Sequence, residues 1–260
     1  MIKYLILFII IIFLFFIFNL FFKNKNKEYF IQNIDIIFLS SNDLFGILSK
    51  DDDDYYKTFF SKDYKTRNIN NIEEYINYIK ISVNDFSEYD KNKIEKCIKK
   101  ANIFFDKLNF EWFDGRKANK IPWKLGCVSG KLYENGLPHT RLDVIIISKE
   151  NIKNYSDKKL INTLIHEKVH IYQKKYKNDI IIYLKNNNFI KLKERENSDN
   201  IRSNPDLDNY VYIGPNKDIY KATYIENPKS IEDIIYYPIN KQSYEHPFEK
   251  MAIFIENINE

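Results

Sequence analysis

Glycine is scarce, with six in 260 residues, and neither G-x-x-x-x-G-K-[ST] nor G-x-G-x-x-G occurs. Loops that cradle phosphates need glycine where backbone N–H groups close on a ligand, so nucleotide binding through either motif is excluded. Cysteine is scarcer still. Cys97 and Cys127 can pair only once and show no C-x-x-C spacing, so they offer neither a disulfide framework nor a cysteine zinc site. Both are expected as reduced core residues. An excess of one charge is also missing, because 40 Lys and Arg against 36 Asp and Glu leave only +4. That surplus is too small to argue for a nucleic-acid partner, and none is expected.

What the chain does have is a long apolar beginning. From Tyr4 to Phe22 the run is broken only by Asn19, about the length a helix needs to span a bilayer. It passes straight into KNKNK without the small residues of a cleavage site. The expected organisation is a transmembrane anchor over residues 1–23, a linker over 24–34 and one domain over 35–260. Lys23, Lys25 and Lys27 follow the span while only Lys3 precedes it, so the positive-inside bias points to a cytosolic carboxyl-terminal domain. The acidic run Asp51 to Asp54 lacks the spaced ligands of a calcium loop and reads as a solvated turn.

Three stretches carry clear secondary-structure signals. SEYDKNKIEKCIKKANIFFDKL reads as a helix capped by Ser87, with Asp90 three residues on and Ile94, Cys97, Ile98, Ala101 and Phe105 along one face. LDVIIIS, from Leu142 to Ser148, reads as a buried strand. SDKKLINTLIHEKVHIYQKKYKN starts at a Ser156 cap and continues as a helix to about Tyr176. NYVYIG and DIYKATYI, joined by a Gly-Pro-Asn turn, read as a hairpin expected to close over the site described next.

Two of the four histidines lie in HEKVH, residues 166 to 170, in the middle of that third stretch. On a helix His166 and His170 fall about 40° apart and Glu167 about 60° further round, so all three share one arc. Two imidazoles one turn apart can reach a single tetrahedral ion, leaving the carboxylate free to activate a water. Zn2+ fits that donor set best. A catalytic zinc site needs one more protein ligand, and SYEHPFEKMAIFIENI offers candidates on a helix starting at Pro247. Glu249, in its first turn with small Ala252 one turn later, is favoured; Glu245 and His246 are its rivals.

HEKVH with a distant P-x-E-x-x-A resembles the zincin metallopeptidases of the glutamate-ligand type. More narrowly, ENGLPHTRLDVIIIS, HEKVHIYQKKY, RSNPDLDNYVYIG and EHPFEKMA together resemble a family of zinc peptidases of large DNA viruses and some algae, over roughly Asp53 to Asn257. The resemblance implies an α+β, zincin-like domain with His166, His170 and Glu249 as zinc ligands and Glu167 as catalytic base. It also implies a host or virion membrane for the anchor.

Around this site His139 and Arg141 are candidates to bind a substrate carbonyl or an oxyanion. Tyr244 is a candidate phenol donor. Asp206 or Asp208 is expected to accept the second ring proton of a ligand histidine. The resulting expectation is a membrane-anchored metallopeptidase that hydrolyses a peptide or protein substrate with a zinc-bound water activated by Glu167. The alternative is a non-catalytic, zinc-stabilised membrane scaffold or virion structural protein.

Overall fold

Every apolar stretch of the domain must bury one face, and the sequence order of helices and strands decides against what. The computed structural model describes residues 35–239 and 244–259. The expected anchor and linker lie outside the described residues. Among the described residues no helix is long and apolar enough to cross a membrane.

In chain order the elements are β1 (Ile36–Phe38), α1 (Ser41–Leu48), α2 (Ser61–Thr66), α3 (Ile72–Ser82), β2 (Val83–Asn84), α4 (Glu88–Phe105), β3 (Asn109–Phe110), β4 (Phe113–Asp114), α5 (Gly115–Asn119) and β5 (Trp123–Val128). There follow β6 (His139–Arg141), β7 (Val144–Ser148), α6 (Lys149–Asn154), α7 (Asp157–Lys175), α8 (Lys177–Asn186), β8 (Ile190–Glu194), β9 (Tyr210–Ile213), β10 (Ile219–Tyr224), β11 (Ile234–Tyr237) and α9 (Pro247–Ile258). Mixed helix and strand, with two larger sheets and a two-stranded β3–β4 pair among the described residues, makes the fold α+β.

The first sheet runs β1-β5-β7-β6, with β2 also paired to β5. β1, β5 and β7 are parallel, and β6 returns antiparallel to β7 at the edge. All five residues of β7 are buried, as expected of a parallel strand covered on both faces. The strand read from sequence is two residues too long at its start, because Leu142 sits at φ +53 in the turn that joins β6 to β7. Gly126 is required in β5: a Cβ there would lie 2.5 Å from Leu44 Cδ1, so glycine lets α1 dock on the strand. The second sheet, β11-β10-β9-β8, is wholly antiparallel.

The helix α4 forms as its sequence dictates. Ser87 Oγ accepts from Asp90 N while Asp90 accepts from Ser87 N, a reciprocal cap, and the predicted apolar face is buried. Cys97 and Cys127 are buried and free. α7 is the centre of the fold, with α4, α9 and the β6–β7 pair packed around it. Twelve of its 19 residues are buried, which rules out a surface helix whose histidines merely face solvent. Even Lys168, within HEKVH, is buried, donating to the Ile121 and Pro122 carbonyls at 2.6 and 3.0 Å above the Trp123 ring.

Candidate metal centre

α7 presents His166 and His170, and α9 packs against it so that Glu249 faces both. The small buried Ala252 stands one turn beyond Glu249. His246 caps α9 by accepting from Phe248 N at 3.2 Å, with Pro247 in the first turn. The three functional groups converge. His166 Nε2 lies 3.1 Å from His170 Nε2 and 3.4 Å from Glu249 Oε2, and His170 Nε2 lies 3.7 Å from Glu249 Oε1.

The hydrogen bonds behind these atoms define which nitrogens are free. Gln173 Nε2 donates to the Phe248 carbonyl at 2.9 Å, so its Oε1 turns to His170 Nδ1, also at 2.9 Å. His170 must therefore carry its proton on Nδ1 and present a lone pair on Nε2. Glu256 accepts from His166 Nδ1 at 3.0 Å, which gives His166 the same tautomer when neutral. Two imidazole lone pairs and a carboxylate then point at one small volume, a repulsive set that only a cation or a proton resolves. Donors held about 2.0 to 2.1 Å from a tetrahedral ion stand about 3.3 to 3.4 Å apart, close to the separations here. The donor set fits zinc.

Electrostatics agree with a cation-seeking site. Burial opposes charge on His166, but Glu249 and Glu256 outweigh it and raise the ring well above the usual imidazole range. Burial lowers His170. For Glu249 burial would raise the carboxyl, yet His170 and His166 hold it below the carboxylate range. Glu167 differs: burial, reinforced by repulsion from Asp206, pushes it well above that range. Its Oε2 is buried without a hydrogen-bond partner among the described residues.

His166, Glu167 and Glu249 line a cleft of about 300 Å³, together with Glu134, His139, Thr163, Ile231, Glu256 and the segment Arg202, Ser203, Asn204, Pro205, Asp206. Asn204 Nδ2 donates to Glu249 Oε1 at 3.3 Å and to Glu245 Oε1 at 2.9 Å, so it props the candidate ligand from the cleft side.

The rival ligands are otherwise engaged. Glu245 pairs with Arg202, and His246 uses one ring nitrogen on Phe248 N and the other, at 3.0 Å, on Asp208. Other expectations need correction. Arg141 does not line the cleft: it is buried, with Nε 2.7 Å from Asp53 and Nη2 2.8 Å from Asp51. The acidic run is a turn as read, with Asp52 and Asp54 exposed, but Asp51 is buried and Asp53 half-buried against that guanidinium. His139 lines the cleft, but its nitrogens face the Leu137 carbonyl and the Tyr133 hydroxyl, at 2.9 and 3.1 Å. Tyr244 does not line it.

Neither Asp206 nor Asp208 receives a ligand histidine's proton. Asp206 accepts from Thr140 N and Oγ1 at 2.6 and 2.8 Å, and Asp208 serves His246 and Tyr212. The expected roles fall to Glu256 and Gln173, and both were readable as positions: Gln173 lies seven residues from His166 and Glu256 seven from Glu249, two helical turns along the same faces. The β9–β10 hairpin forms as read, but it borders a larger groove and not this cleft.

Compared with family models, with curated proteins and with solved structures, the chain matches none.

Proposed function

We propose that this chain is a zinc-dependent metallopeptidase of the zincin kind, with His166, His170 and Glu249 holding the ion and Glu167 carrying the proton. The observation that carries the reading is the convergence of three donor atoms whose free lone pairs are dictated by Glu256, Gln173 and Asn204 behind them. A zinc ion bound there supplies Lewis acidity, polarising a carbonyl and making water acidic near neutrality. Glu167, beside it in the cleft, takes a proton from the attacking water and delivers it to the departing amine nitrogen. Attack forms the C–O bond, and proton delivery accompanies scission of the C–N bond.

A non-catalytic zinc-stabilised scaffold is the second reading. What favours it is that His139 and Arg141, the expected oxyanion donors, are already partnered. Against it stands Glu167: leaving a buried carboxylate oxygen unpaired costs about 1–3 kcal/mol or more, and a scaffold gains nothing from keeping it. The apolar run over residues 4–22 supports attachment to a membrane in either case.

Two measurements on the purified full-length protein decide between the readings. Metal analysis should give one zinc per chain, removed by chelator and by Glu249→Ala. Peptide-library cleavage should be abolished by chelator and restored by zinc. Bound zinc with no cleavage would favour the scaffold.

A further inference from the structure

The sheet edge beside the cleft is closed. In an antiparallel pair alternate residues turn their backbone groups away from the partner strand, and in β6 the residue that does so is Thr140. Its N–H donates to Asp206 Oδ1 at 2.6 Å, and its C=O accepts from Lys174 Nζ at 3.0 Å. Ahead of the strand, Leu137 N–H donates to Glu134 at 3.0 Å, the Leu137 C=O accepts from His139 Nδ1, and Pro138 has no N–H. An extended peptide adds to a sheet only through unpaired edge groups. At Thr140 both are taken.

The segment that takes them is a wall and not a loose flap. Arg202 N donates to the Ala222 carbonyl at 2.9 Å, and Ser203 N donates to the buried Asp63 at 2.9 Å. The Ser203 carbonyl accepts from the buried Arg67, and the Pro205 carbonyl accepts from Lys174 at 3.0 Å. Lys174 is half-buried and holds three oxygens, so displacing the wall would strip its ammonium of the Pro205 carbonyl and leave only Thr140 O and Oγ1. What remains open is about 300 Å³, the lower end of the roughly 300–1,000 Å³ range of small-molecule sites.

Resting on the peptidase reading, we infer that the cleft takes short peptides of about two to three residues, or one terminus of a longer chain, and excludes the interior of an extended polypeptide. Substrate is held by its end and side chains within the cleft, without strand addition at Thr140.

The test uses full-length protein whose zinc content has been measured. Alanine-rich peptides of two to ten residues, with termini free or both blocked, are digested and the products identified by mass spectrometry. The inference expects kcat/KM at least about ten-fold higher for the shortest free peptides than for blocked ten-residue ones. Internal cleavage of long blocked peptides, with kcat/KM level or rising with length, overturns the inference and leaves the peptidase reading standing. Zinc bound without cleavage of any peptide overturns both. A second readout does not depend on turnover: hydrogen exchange over residues 137–142 and 202–206 of Glu167→Gln protein, with and without saturating tripeptide. Equally slow exchange supports the closed edge, and faster exchange on binding overturns it.

Discussion

One imidazole, that of His166, is held between two carboxylates of the same helix. Glu256 stands 3.0 Å from its Nδ1 and Glu249 stands 3.4 Å from its Nε2. Two turns of α9 separate the carboxylates, so a single helix both grips the ring and faces the position a metal would take. α9 is thus part of the centre and not merely a cover for it.

Removing the outer grip should weaken the inner one. Glu256→Ala is expected to lower zinc affinity about 10- to 100-fold, measured by competition with a chromophoric chelator. Glu256→Gln, whose amide oxygen can still accept from Nδ1, should recover most of it. Equal affinity in wild type and Glu256→Ala would show that the ring needs no such support.

Gln173 joins His170 to the first turn of α9. Gln173→Leu leaves His170 Nδ1 and the Phe248 carbonyl without their partner, at a cost of about 1–3 kcal/mol for each buried group. Both the thermal midpoint and zinc affinity should fall, and added zinc should recover part of the midpoint by mass action. A variant with an unaltered midpoint and unaltered zinc binding would refute the coupling.

Glu167 is expected to separate activity from stability. Glu167→Gln should keep stoichiometric zinc and lose about 10²- to 10⁴-fold in kcat/KM. Glu167→Leu removes a buried carboxyl with an unpaired oxygen, so it should unfold at higher denaturant concentration than wild type while remaining inactive. Turnover by the glutamine variant at the wild-type rate would sink the assigned role.

Zinc binding should release protons. In the metal-free site burial opposes charge on His166, but its two carboxylates keep it protonated above the usual imidazole range, while burial keeps His170 neutral. Binding at neutral pH must then expel about one proton, and affinity should rise with pH until His166 loses that proton unaided. Calorimetry in buffers of different ionisation enthalpy counts it directly. A value near zero would mean that His166 is already neutral.

Away from the centre, Glu134 gives an acid-stability prediction. Burial alone would raise its carboxyl, but Arg67, at 2.8 and 2.9 Å, brings it down to about 2. A carboxyl depressed in the folded state stabilises fully above its unfolded value, about 4.3, and that contribution is lost as pH falls towards 2. Glu134→Gln should therefore destabilise the protein at neutral pH, by up to about 3–5 kcal/mol, because buried Arg67 loses its bidentate carboxylate and keeps only the longer 3.6 Å pairing with Asp63. Its stability should also vary less between pH 4 and 2, as followed by urea denaturation.

The elements around the centre were legible because each depends on neighbours in sequence. Ser87 and Ser156 cap α4 and α7, Pro247 opens α9, and the apolar spacing of α4 returns as its buried face, all consequences of helical period and of unpaired N–H groups at helix starts. The arc shared by His166, Glu167 and His170 is local in the same way. The choice of Glu249 over Glu245 and His246 was not local, since it depends on Arg202 and Asp208 arriving from a distant segment to occupy the other two. Arg141 was misread for the same reason: only the fold brings Asp51 and Asp53, about 90 residues earlier, onto its guanidinium. Sequence by itself determined where helices begin, which faces they bury and that two imidazoles share a turn, because a few residues of backbone geometry decide those things. Tertiary structure alone decided which carboxylates meet those imidazoles and that the sheet edge is closed, because charges buried far apart in the chain select partners only when packing has brought them together.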